Sequence, residues 1–328
     1  MNKQKTLVIT CMKDEGAFVL EWVAYHLAIG IDHFLVYTND CSDGTDRIIR
    51  RLETLGYATH RDNFKRAGQR ASYQIRAFRR ARQEPLLDEY EWTAIIDVDE
   101  FINIHVGNGT LADLISASGG ADIISLAWRL FGNAGNRSYS GNFLIDDFTR
   151  AAADFRPRPA QAWGMKSLFR TEKVEAMGTH RPRRVRGSGW NAVRWVNGNG
   201  EEMPERYHDS FWRFHQDTIG YKLAQVNHYA VRYQDTFLLK FQKGMVHGGM
   251  ERDAEYWRRM NLNDQTDTSI LRMRPKMKEI YDRLLEDPEL KSLHEGACDW
   301  LKTRISDARK DPELEALYHR LSKGRARG

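Results

Sequence analysis

The sequence predicts an α/β fold in which helices flank a mainly parallel sheet, followed by a helical C-terminal region. Strand-like and helix-like segments alternate over residues 6–61, the β-α-β-α-β order typical of half of a nucleotide-binding sheet. A short apolar segment, Trp92 to Ile96, then has the composition of a strand buried on both faces. From residue 275 to the end the chain is amphipathic and rich in both charges, which predicts helices.

The individual elements follow from apolar periodicity and from turn-forming residues at their boundaries. Strands are predicted at 6–11, 31–37, 57–61, 92–96, 122–128, 163–171 and 174–177. Helices are predicted at 17–29, 45–55, 64–83, 110–117, 236–244 and 254–260, and beyond 275. Residues 187–205 contain four glycines and no clear period, so we expect a mobile substrate loop there.

Composition limits the class of protein. The 328 residues are 41% hydrophobic and 11% aromatic, with a formal net charge of +5, which indicates a chain with a sizeable core and excludes a disordered one. The polar start of the chain has no signal-peptide pattern, and no window has the ~18 apolar residues of a membrane span. Cys11, Cys41 and Cys298 are far apart, which argues against a disulfide framework or a zinc site. We therefore expect a cytoplasmic protein.

The chemistry is predicted at the end of the strand that begins at Trp92. Asp97, Asp99 and Glu100 follow this strand directly, and ligands of open α/β sheets bind at the carboxyl ends of strands. Alternate residues of an extended chain point the same way, so Asp97 and Asp99 are expected to converge on one divalent cation. The structural alternative is that the pair only caps a helix or begins a turn.

Other nucleotide-binding motifs are missing. No Gly-x-Gly-x-x-Gly follows the first strand, and no Gly-x-x-x-x-Gly-Lys-Ser/Thr occurs, which disfavours a dinucleotide oxidoreductase and a P-loop enzyme. Residues 64–83 are strongly basic and are expected to form mostly a solvated face. Lys65, Arg66 and Arg70 are candidates to contact a diphosphate from this segment.

A set of short motifs supports a more specific interpretation. The set is Lys13-Asp14-Glu15, Glu21-Trp22, Tyr25-His26, Asn39 to Thr45, Gln74, Asp97-Val98-Asp99-Glu100-Phe101, and Asn227-His228-Tyr229 with Lys240 and Gly244. Together these motifs resemble the family 2-like glycosyltransferases of the GT-A fold, on a branch shared with family 92. The resemblance implies a GT-A-like domain over residues 1–245, with a nucleotide-sugar half at 1–128 and an acceptor half at 129–245. Residues 246–328 would form a helical extension.

The resemblance also implies a ligand set. The donor would be a nucleotide sugar, a UDP-sugar, whose diphosphate is neutralised by Mn²⁺ or Mg²⁺ on Asp97 and Asp99. His228 is the candidate for an additional metal contact, with His180 and His208 as alternatives. The residues that the resemblance implies for donor binding are Lys13, Glu15, Asn39, Asp43, Gln74 and Asp97. The chain departs from the family pattern at Asp14, Thr38 and Cys41, all in the segments expected to hold the nucleoside.

An inverting transferase of this kind needs a carboxylate that accepts the proton of the acceptor hydroxyl. We expect it in the second half of the chain, at Asp209, with Glu201, Glu202 and Asp217 as alternatives. This half is also rich in tryptophan, and some of these rings are candidates to stack on sugar faces, although core packing is the commoner role. They are Trp128, Trp163, Trp190, Trp195 and Trp212.

Two other functions compete with a transferase that acts on a glycan or lipid-linked acceptor. An Asp-x-Asp phosphohydrolase would use the pair as nucleophile and acid, but such enzymes usually carry it on the first strand. A non-catalytic module would bind anionic membrane or nucleic acid through its basic segments 61–82, 180–186 and 320–327. No nucleic-acid motif is present, so we expect no nucleic-acid partner. Peripheral contact with the inner face of a membrane is compatible with the transferase.

Overall fold

The structure is a computed structural model that describes residues 5–65, 68, 71–156, 158–242 and 250–322. Its strands are β1 (Thr6–Met12), β2 (His33–Thr38), β3 (Ala58–Asp62), β4 (Trp92–Ile95), β5 (Glu100–Ile104), β6 (Ile123–Leu130), β7 (Arg150–Ala151), β8 (Met165–Arg170), β9 (Val174–Ala176), β10 (Arg184–Val185), β11 (Trp195–Val196), β12 (Ala224–His228) and β13 (Gln265–Thr266). Its α-helices are α1 (Gly16–Ile29), α2 (Thr45–Thr54), α3 (Tyr73–Ala81), α4 (Leu111–Ala117), α5 (Leu144–Asp147), α6 (Gln234–Gln242), α7 (Met250–Met260), α8 (Arg274–Leu284), α9 (Pro288–Ala308) and α10 (Pro312–Ser322). Short 3-10 helices lie at Pro85–Glu89, Ala160–Trp163, Thr171–Lys173, Trp190–Ala192, Glu205–Tyr207 and Ser269–Met273.

A mixed, mainly parallel sheet of nine strands forms the centre of the molecule, which confirms the predicted fold class. Its strand order is β3-β2-β1-β4-β8-β6-β12-β5, with β11 beside β6. The first four strands of this order are parallel, and β6 is parallel to both β11 and β12. Strand β8 is antiparallel to both β4 and β6, and β5 is antiparallel to β12. Strand β8 therefore joins the half of the sheet formed by β1 to β4 to the second half.

The central strand β4 is buried on both faces, as its composition predicts. Trp92, Thr93 and Ala94 are almost inaccessible, and the Thr93 hydroxyl lies 2.8 Å from that of Thr171. The chain then turns sharply, because the Glu100 N–H donates to the Asp97 carbonyl oxygen over 3.0 Å. The expectation that Asp97 and Asp99 lie on extended chain is thus wrong. A turn is required because the next strand, β5, lies at the far edge of the sheet beside β12.

Three predicted helices begin two or more residues away from the observed start, and one of them, predicted at 254–260, begins at Met250. The helix predicted at 64–83 begins only at Tyr73, where the Ser72 side chain caps it by accepting from the Ile75 N–H over 3.2 Å. The helix predicted at 236–244 begins earlier, at Gln234. Residues 66, 70, 243–249 and 323–328 lie outside the described residues, and with them the candidates Arg66, Arg70 and Gly244 and the predicted boundary between 245 and 246.

Helix α1 is buried almost all round because the sheet covers one side and α8 and α9 cover the other. The Trp22 indole N–H donates to the Glu100 carbonyl over 3.0 Å, and the Tyr25 hydroxyl donates to the Ile102 carbonyl over 2.9 Å. Side chains of the C-terminal helices, such as Leu290, join the same hydrophobic cluster as α1. Within the described residues, no helix has the length and apolar character needed to cross a bilayer.

Candidate active site

The acidic turn after β4 is held by side chains from three other elements. One oxygen of Asp97 accepts from the Gln74 amide of α3 over 2.9 Å, and the other accepts from the Lys166 ammonium of β8 over 2.8 Å. The Asp97 N–H donates to the Glu100 carboxylate over 2.8 Å. The structure therefore brings Gln74 and Asp97 together, as the family pattern implies.

Lys166 is a site residue that the sequence analysis missed. It is fully buried, and its ammonium lies 3.1 Å from a Glu100 oxygen as well as 2.8 Å from Asp97. Burial alone would lower the pKa of Lys166, but these two carboxylates raise it. Burial, opposed by Lys166, raises the pKa of Glu100 to about 7. The sequence could have indicated this residue, because Lys166 lies within the apolar strand Met165–Arg170 and a buried lysine needs a carboxylate partner.

Asp99 faces the end of β12. One of its oxygens lies 3.7 Å from His228 Nε2, and the other lies 3.5 Å from Lys240 Nζ of α6. Burial would raise the pKa of Asp99, but His228, Lys240 and Arg232 together hold it well below its usual range. His228 reaches this position because it pairs with Glu100 in the antiparallel register of β12 and β5. The structure thus brings together Asp99 and His228, which are 129 positions apart by their numbers (228 − 99).

Arg232 is a second residue that the sequence analysis missed. Its backbone adopts a left-handed conformation with φ 51°, and its side chain is only 4% exposed. Nη1 pairs with the Glu15 carboxylate over 2.7 Å, and the guanidinium lies 4.1 Å from the centre of the Phe18 ring. Among the described residues, Nε and Nη2 have no hydrogen-bond acceptor. Because buried donors are normally paired, these two nitrogen atoms indicate a place for an anion.

The loops after β1 and β2 meet at the same edge of the sheet. Asp14 accepts from the Ser42 N–H over 2.6 Å, and the Glu15 N–H donates to the Thr45 hydroxyl over 2.8 Å. Asp43 accepts from the Gly16 N–H over 2.7 Å and from the N–H and hydroxyl of Thr45 over 2.8 and 2.6 Å. Asp43 therefore fastens the two loops together, and a contact of Asp43 with a donor stays a prediction.

The remaining donor candidates lie on the same loops. Asn39 is buried, and its side-chain oxygen accepts weakly from the Cys11 thiol over 3.8 Å. Lys13 directly follows β1 and is half-buried. These positions agree with a nucleoside site between the loops, but their roles stay predictions.

Asp99 and His228 are chemically suited to a divalent metal. A carboxylate oxygen and an imidazole nitrogen 3.7 Å apart can bind one Mn²⁺, whose other positions water and phosphate oxygens would fill. Both oxygens of Asp97, in contrast, are occupied by Gln74 and Lys166. Within the described residues, no group of three or more acidic, histidine or cysteine side chains could hold a metal. The fit is therefore to a site with two protein ligands, and Asp97 as a ligand stays a prediction.

A cleft of about 500 Å³ adjoins this centre at His180. Burial, reinforced by Lys166, lowers the pKa of His180 to about 4, so its ring is neutral near pH 7. The cleft is lined by Gly178, Thr179, His180, Arg181, Arg183, Asp209, Ser210, Phe211 and Trp212. Within the basic segment 180–186, Arg183, Arg184 and Arg186 are exposed. His180 instead forms the wall between the cleft and the acidic turn.

Only one of the four candidate bases lines this cleft, namely Asp209. Glu202 and Asp217 pair with arginines at the surface, at Arg194 and Arg206. Glu201 accepts hydrogen bonds within its own loop, from the Asn197 and Asn199 side chains. The loop predicted at 187–205 also contributes β11 to the sheet. Its mobility is not tested.

Four of the five candidate tryptophans form two pairs, and Trp163 belongs to neither pair. Trp128 and Trp212 lie between the acidic centre and the cleft, since the Trp128 ring is 4.5 Å from His228 and 5.9 Å from Trp212. Trp190 and Trp195 stack on each other and on His208, and Trp195 pairs with Ile123, at the opposite end of β6 from the residue that pairs with His228. His208 is thus not brought to the metal candidates. Trp163 stacks on Phe155.

Comparisons with known proteins identify the family of the chain. The family model described as Glycosyltransferase family 92 matches residues 8–270. A glycosyltransferase family 92 protein of Oryza sativa subsp. japonica is 30% identical over 109 residues, which cover 33% of this chain and 18% of that protein. One from Ricinus communis is 29% identical over 100 residues, covering 30% and 17%. The match thus spans less than a fifth of these relatives. A crystal structure of S. aureus TarS 1-349 is 11% identical, with a TM-score of 0.34 and coverage of 98% of this chain and 88% of that chain.

Proposed function

Because the chain belongs to glycosyltransferase family 92, we propose that it is a glycosyltransferase, which moves a sugar from a UDP-sugar to a glycan or lipid-linked acceptor with inversion at the anomeric carbon. The observation that carries this proposal is the convergence of Asp99, His228 and Lys240 at the edge of the sheet. This edge also receives the loops after β1 and β2. Acidic, imidazole and cationic groups are together suited to a metal-bound diphosphate.

The leaving diphosphate is the group that most needs stabilisation, because negative charge grows on it as the bond to the sugar breaks. Arg232 supports this role, since Nε and Nη2 are buried and have no acceptor among the described residues. Lys240 adds a positive charge 3.5 Å from Asp99. When bound by Asp99 and His228, Mn²⁺ or Mg²⁺ would supply further positive charge for the same oxygens.

The acceptor hydroxyl attacks from the cleft that Asp209 lines. Its oxygen forms a bond to the anomeric carbon while the bond from that carbon to the diphosphate oxygen breaks. The hydroxyl proton passes to the Asp209 carboxylate, and the electron pair of the broken bond leaves with the nucleoside diphosphate. Asp209 suits this role because it is exposed in the cleft, where an acceptor can reach it.

Family membership favours a transferase over a phosphohydrolase and over a purely non-catalytic module. The proposal also includes membrane contact: the enzyme would be cytoplasmic and would bind peripherally to the inner face of the membrane. Phe64 is 60% exposed and Ile75 40% exposed. Two basic residues, Lys65 and Arg79, lie close to these apolar residues in the sequence. Sedimentation with anionic and with neutral liposomes tests this clause, and salt-sensitive binding to anionic vesicles alone is expected.

A thermal-shift screen tests the donor proposal. The purified protein is heated with Mn²⁺ and, in turn, UDP-sugars, GDP-sugars and other nucleotide sugars, because a ligand that binds only the folded state raises the melting temperature. We expect at least one UDP-sugar to raise it, and Mn²⁺ to enlarge the rise. If no nucleotide sugar shifts the transition, or if an Asp99→Ala variant shows the same rise, the proposal is wrong.

A further inference from the structure

We infer that Trp212 and Phe211 form an acceptor subsite that binds one pyranose ring of a glycan beside Asp209. This inference rests on the proposed function and extends it, since it names the class of acceptor and the side chains that hold it. The starting observation is the cleft of about 500 Å³ at the His180 wall of the acidic centre.

The aromatic surface of this cleft is formed by stacked rings. The Trp212 ring lies 4.4 Å from the His180 ring with an angle of 21° between their planes. Trp128 packs edge-on against both, at 5.9 Å from Trp212 and 5.4 Å from His180. Gly164 makes room for Trp128, since a Cβ there would lie 2.2 Å from the indole ring. His180 and Trp128 thereby fix the orientation of the Trp212 ring. The Arg213 guanidinium also lies over this ring, 4.9 Å from its centre, and a sugar that stacks on the ring would share or replace this contact.

The same rings connect the cleft to the acidic centre. His180 contacts Trp212 on one side, and it is close enough to Asp97 and Lys166 for both charges to change its pKa. Trp128 meets the His228 ring at 4.5 Å. A ligand on Trp212 would therefore lie next to the groups proposed to hold the donor.

The Arg181 side chain fixes the loop that carries Asp209 and Phe211. The Arg181 guanidinium donates to the carbonyl oxygens of Ser210, Phe211 and Pro182 over 2.7, 2.8 and 2.8 Å. Phe211 adopts a left-handed backbone conformation with φ 56°, yet its ring is 47% exposed. A bulky residue in this conformation is strained, and such strain is often found at functional sites. Because the Phe211 ring contributes little to the hydrophobic core, ligand binding explains its presence better than core packing does.

A sugar ring matches the chemistry of the cleft better than an acyl chain does. Pyranoses offer a face of C–H groups that packs on aromatic rings and a rim of hydroxyl groups that need polar partners. The cleft supplies both, because Thr179, Ser210, Asp209 and Arg183 lie around the two aromatic rings. An acyl chain would leave these polar and charged groups without partners.

Saturation-transfer NMR with simple sugars tests the inference. The probes are the methyl α- and β-glycosides of common hexoses and N-acetylhexosamines, each with the full chain, UDP and Mn²⁺. The variants are Trp212→Ala and Phe211→Gly. The control is Phe155→Ala, which removes a ring of similar exposure (39%) outside the cleft. Phe211→Gly removes a ring while relieving the backbone, so it separates a binding role from a structural one.

We expect at least one glycoside to bind the wild type, with saturation strongest on the C–H protons of one face. Trp212→Ala should weaken this binding roughly tenfold, and Phe211→Gly should weaken it without lowering the melting temperature. Phe155→Ala should bind like the wild type. The inference is overturned if no glycoside binds, or if Trp212→Ala binds equally well. If the wild type fails to bind UDP in the same samples, the proposed function itself has failed.

Discussion

Lys166 is buried between two carboxylates, and its charge sets the geometry of the acidic turn. Its ammonium lies 2.8 Å from Asp97 and 3.1 Å from Glu100, and it is 1% exposed. Removing one partner of a buried ion pair leaves an uncompensated charge, which typically costs about 3–5 kcal/mol. We therefore expect Lys166→Met to lower the free energy of unfolding by about this amount, measured by urea denaturation, and to abolish transfer.

Two variants make this prediction specific. Lys302→Met removes an exposed lysine that pairs with Asp299 and should change the unfolding free energy by less than about 0.5 kcal/mol. A second change, Glu100→Gln, should restore part of the stability lost in Lys166→Met, because it removes a carboxylate left without a partner. A Lys166→Met protein as stable as the wild type would show that the buried pair is not formed.

A substitution of Arg232 tests whether the diphosphate binds at Nε and Nη2 of its guanidinium, which have no acceptor among the described residues. We expect Arg232→Met to weaken UDP binding about ten- to a hundredfold, the loss typical of charge-assisted hydrogen bonds, and to leave uridine binding unchanged. Titration calorimetry of both ligands measures the difference. Arg274→Met, which removes a surface ion pair with Asp146, is the control. Equal weakening of uridine and UDP would mean that Arg232 only positions Glu15.

At the scale of single residues, the sequence could predict groups whose chemistry is visible in a motif. Gln74 and Asp97 lie within hydrogen-bond distance, and Asp99 lies beside His228, so four residues of the motifs are paired in the structure. Arg232 could not be predicted in the same way, because its significance depends on burial and on a left-handed backbone. Neither property can be read from the surrounding residues.

At the scale of elements, Asp287 fastens α9 to α2. Its carboxylate caps α9 by accepting from the Leu290 N–H over 2.8 Å and pairs with Arg51 over 2.5 Å. The hydrogen bond from Arg51 lowers the pKa of Asp287 to about 2. Since this pKa lies below that of the unfolded chain, the stabilisation is present above about pH 4 and is lost as the pH falls towards 2.

The variant Asp287→Asn isolates the ion pair, because asparagine also caps helices well. We expect a lower melting temperature than that of the wild type at neutral pH, and a smaller difference near about pH 3. Asp299→Asn on the same helix, whose aspartate is 74% exposed, should match the wild type at both values. An Asp287→Asn deficit that does not change with pH would contradict the assigned pair.

The ends of helices and strands could be predicted where a neighbouring residue caps the helix. They could not be predicted where they depend on pairing with a strand far away in the sequence. Ser72 caps α3. A serine before a segment of helical apolar periodicity indicates the start of a helix, so this helix could have been predicted to begin after residue 72 and not at residue 64. The turn after β4 was not predictable, because it depends on β5 pairing with β12, whose residues lie more than a hundred positions later. β11 likewise depends on a distant strand, because it pairs with Ile123 and Ile124 of β6, whereas β12 pairs with β6 only from Trp128 to Leu130.

At the scale of the whole molecule, the site is assembled from both halves of the sheet. The first half supplies Asp97 and Asp99, and the second supplies Lys166 and His228. The fold class was predictable from the alternating elements, but the strand order was not, because periodicity does not say which strands are neighbours. The antiparallel insertion of β8 between β4 and β6 is what carries Lys166 to Asp97.

Calorimetric titration of UDP, with and without Mn²⁺, into the wild type, Asp99→Asn and His228→Gln tests whether a metal binds between Asp99 and His228. We expect Mn²⁺ to strengthen UDP binding to the wild type by about tenfold or more, and we expect either substitution to remove this gain. A gain that survives in both variants, or no effect of Mn²⁺ on the wild type, would contradict a metal held between Asp99 and His228.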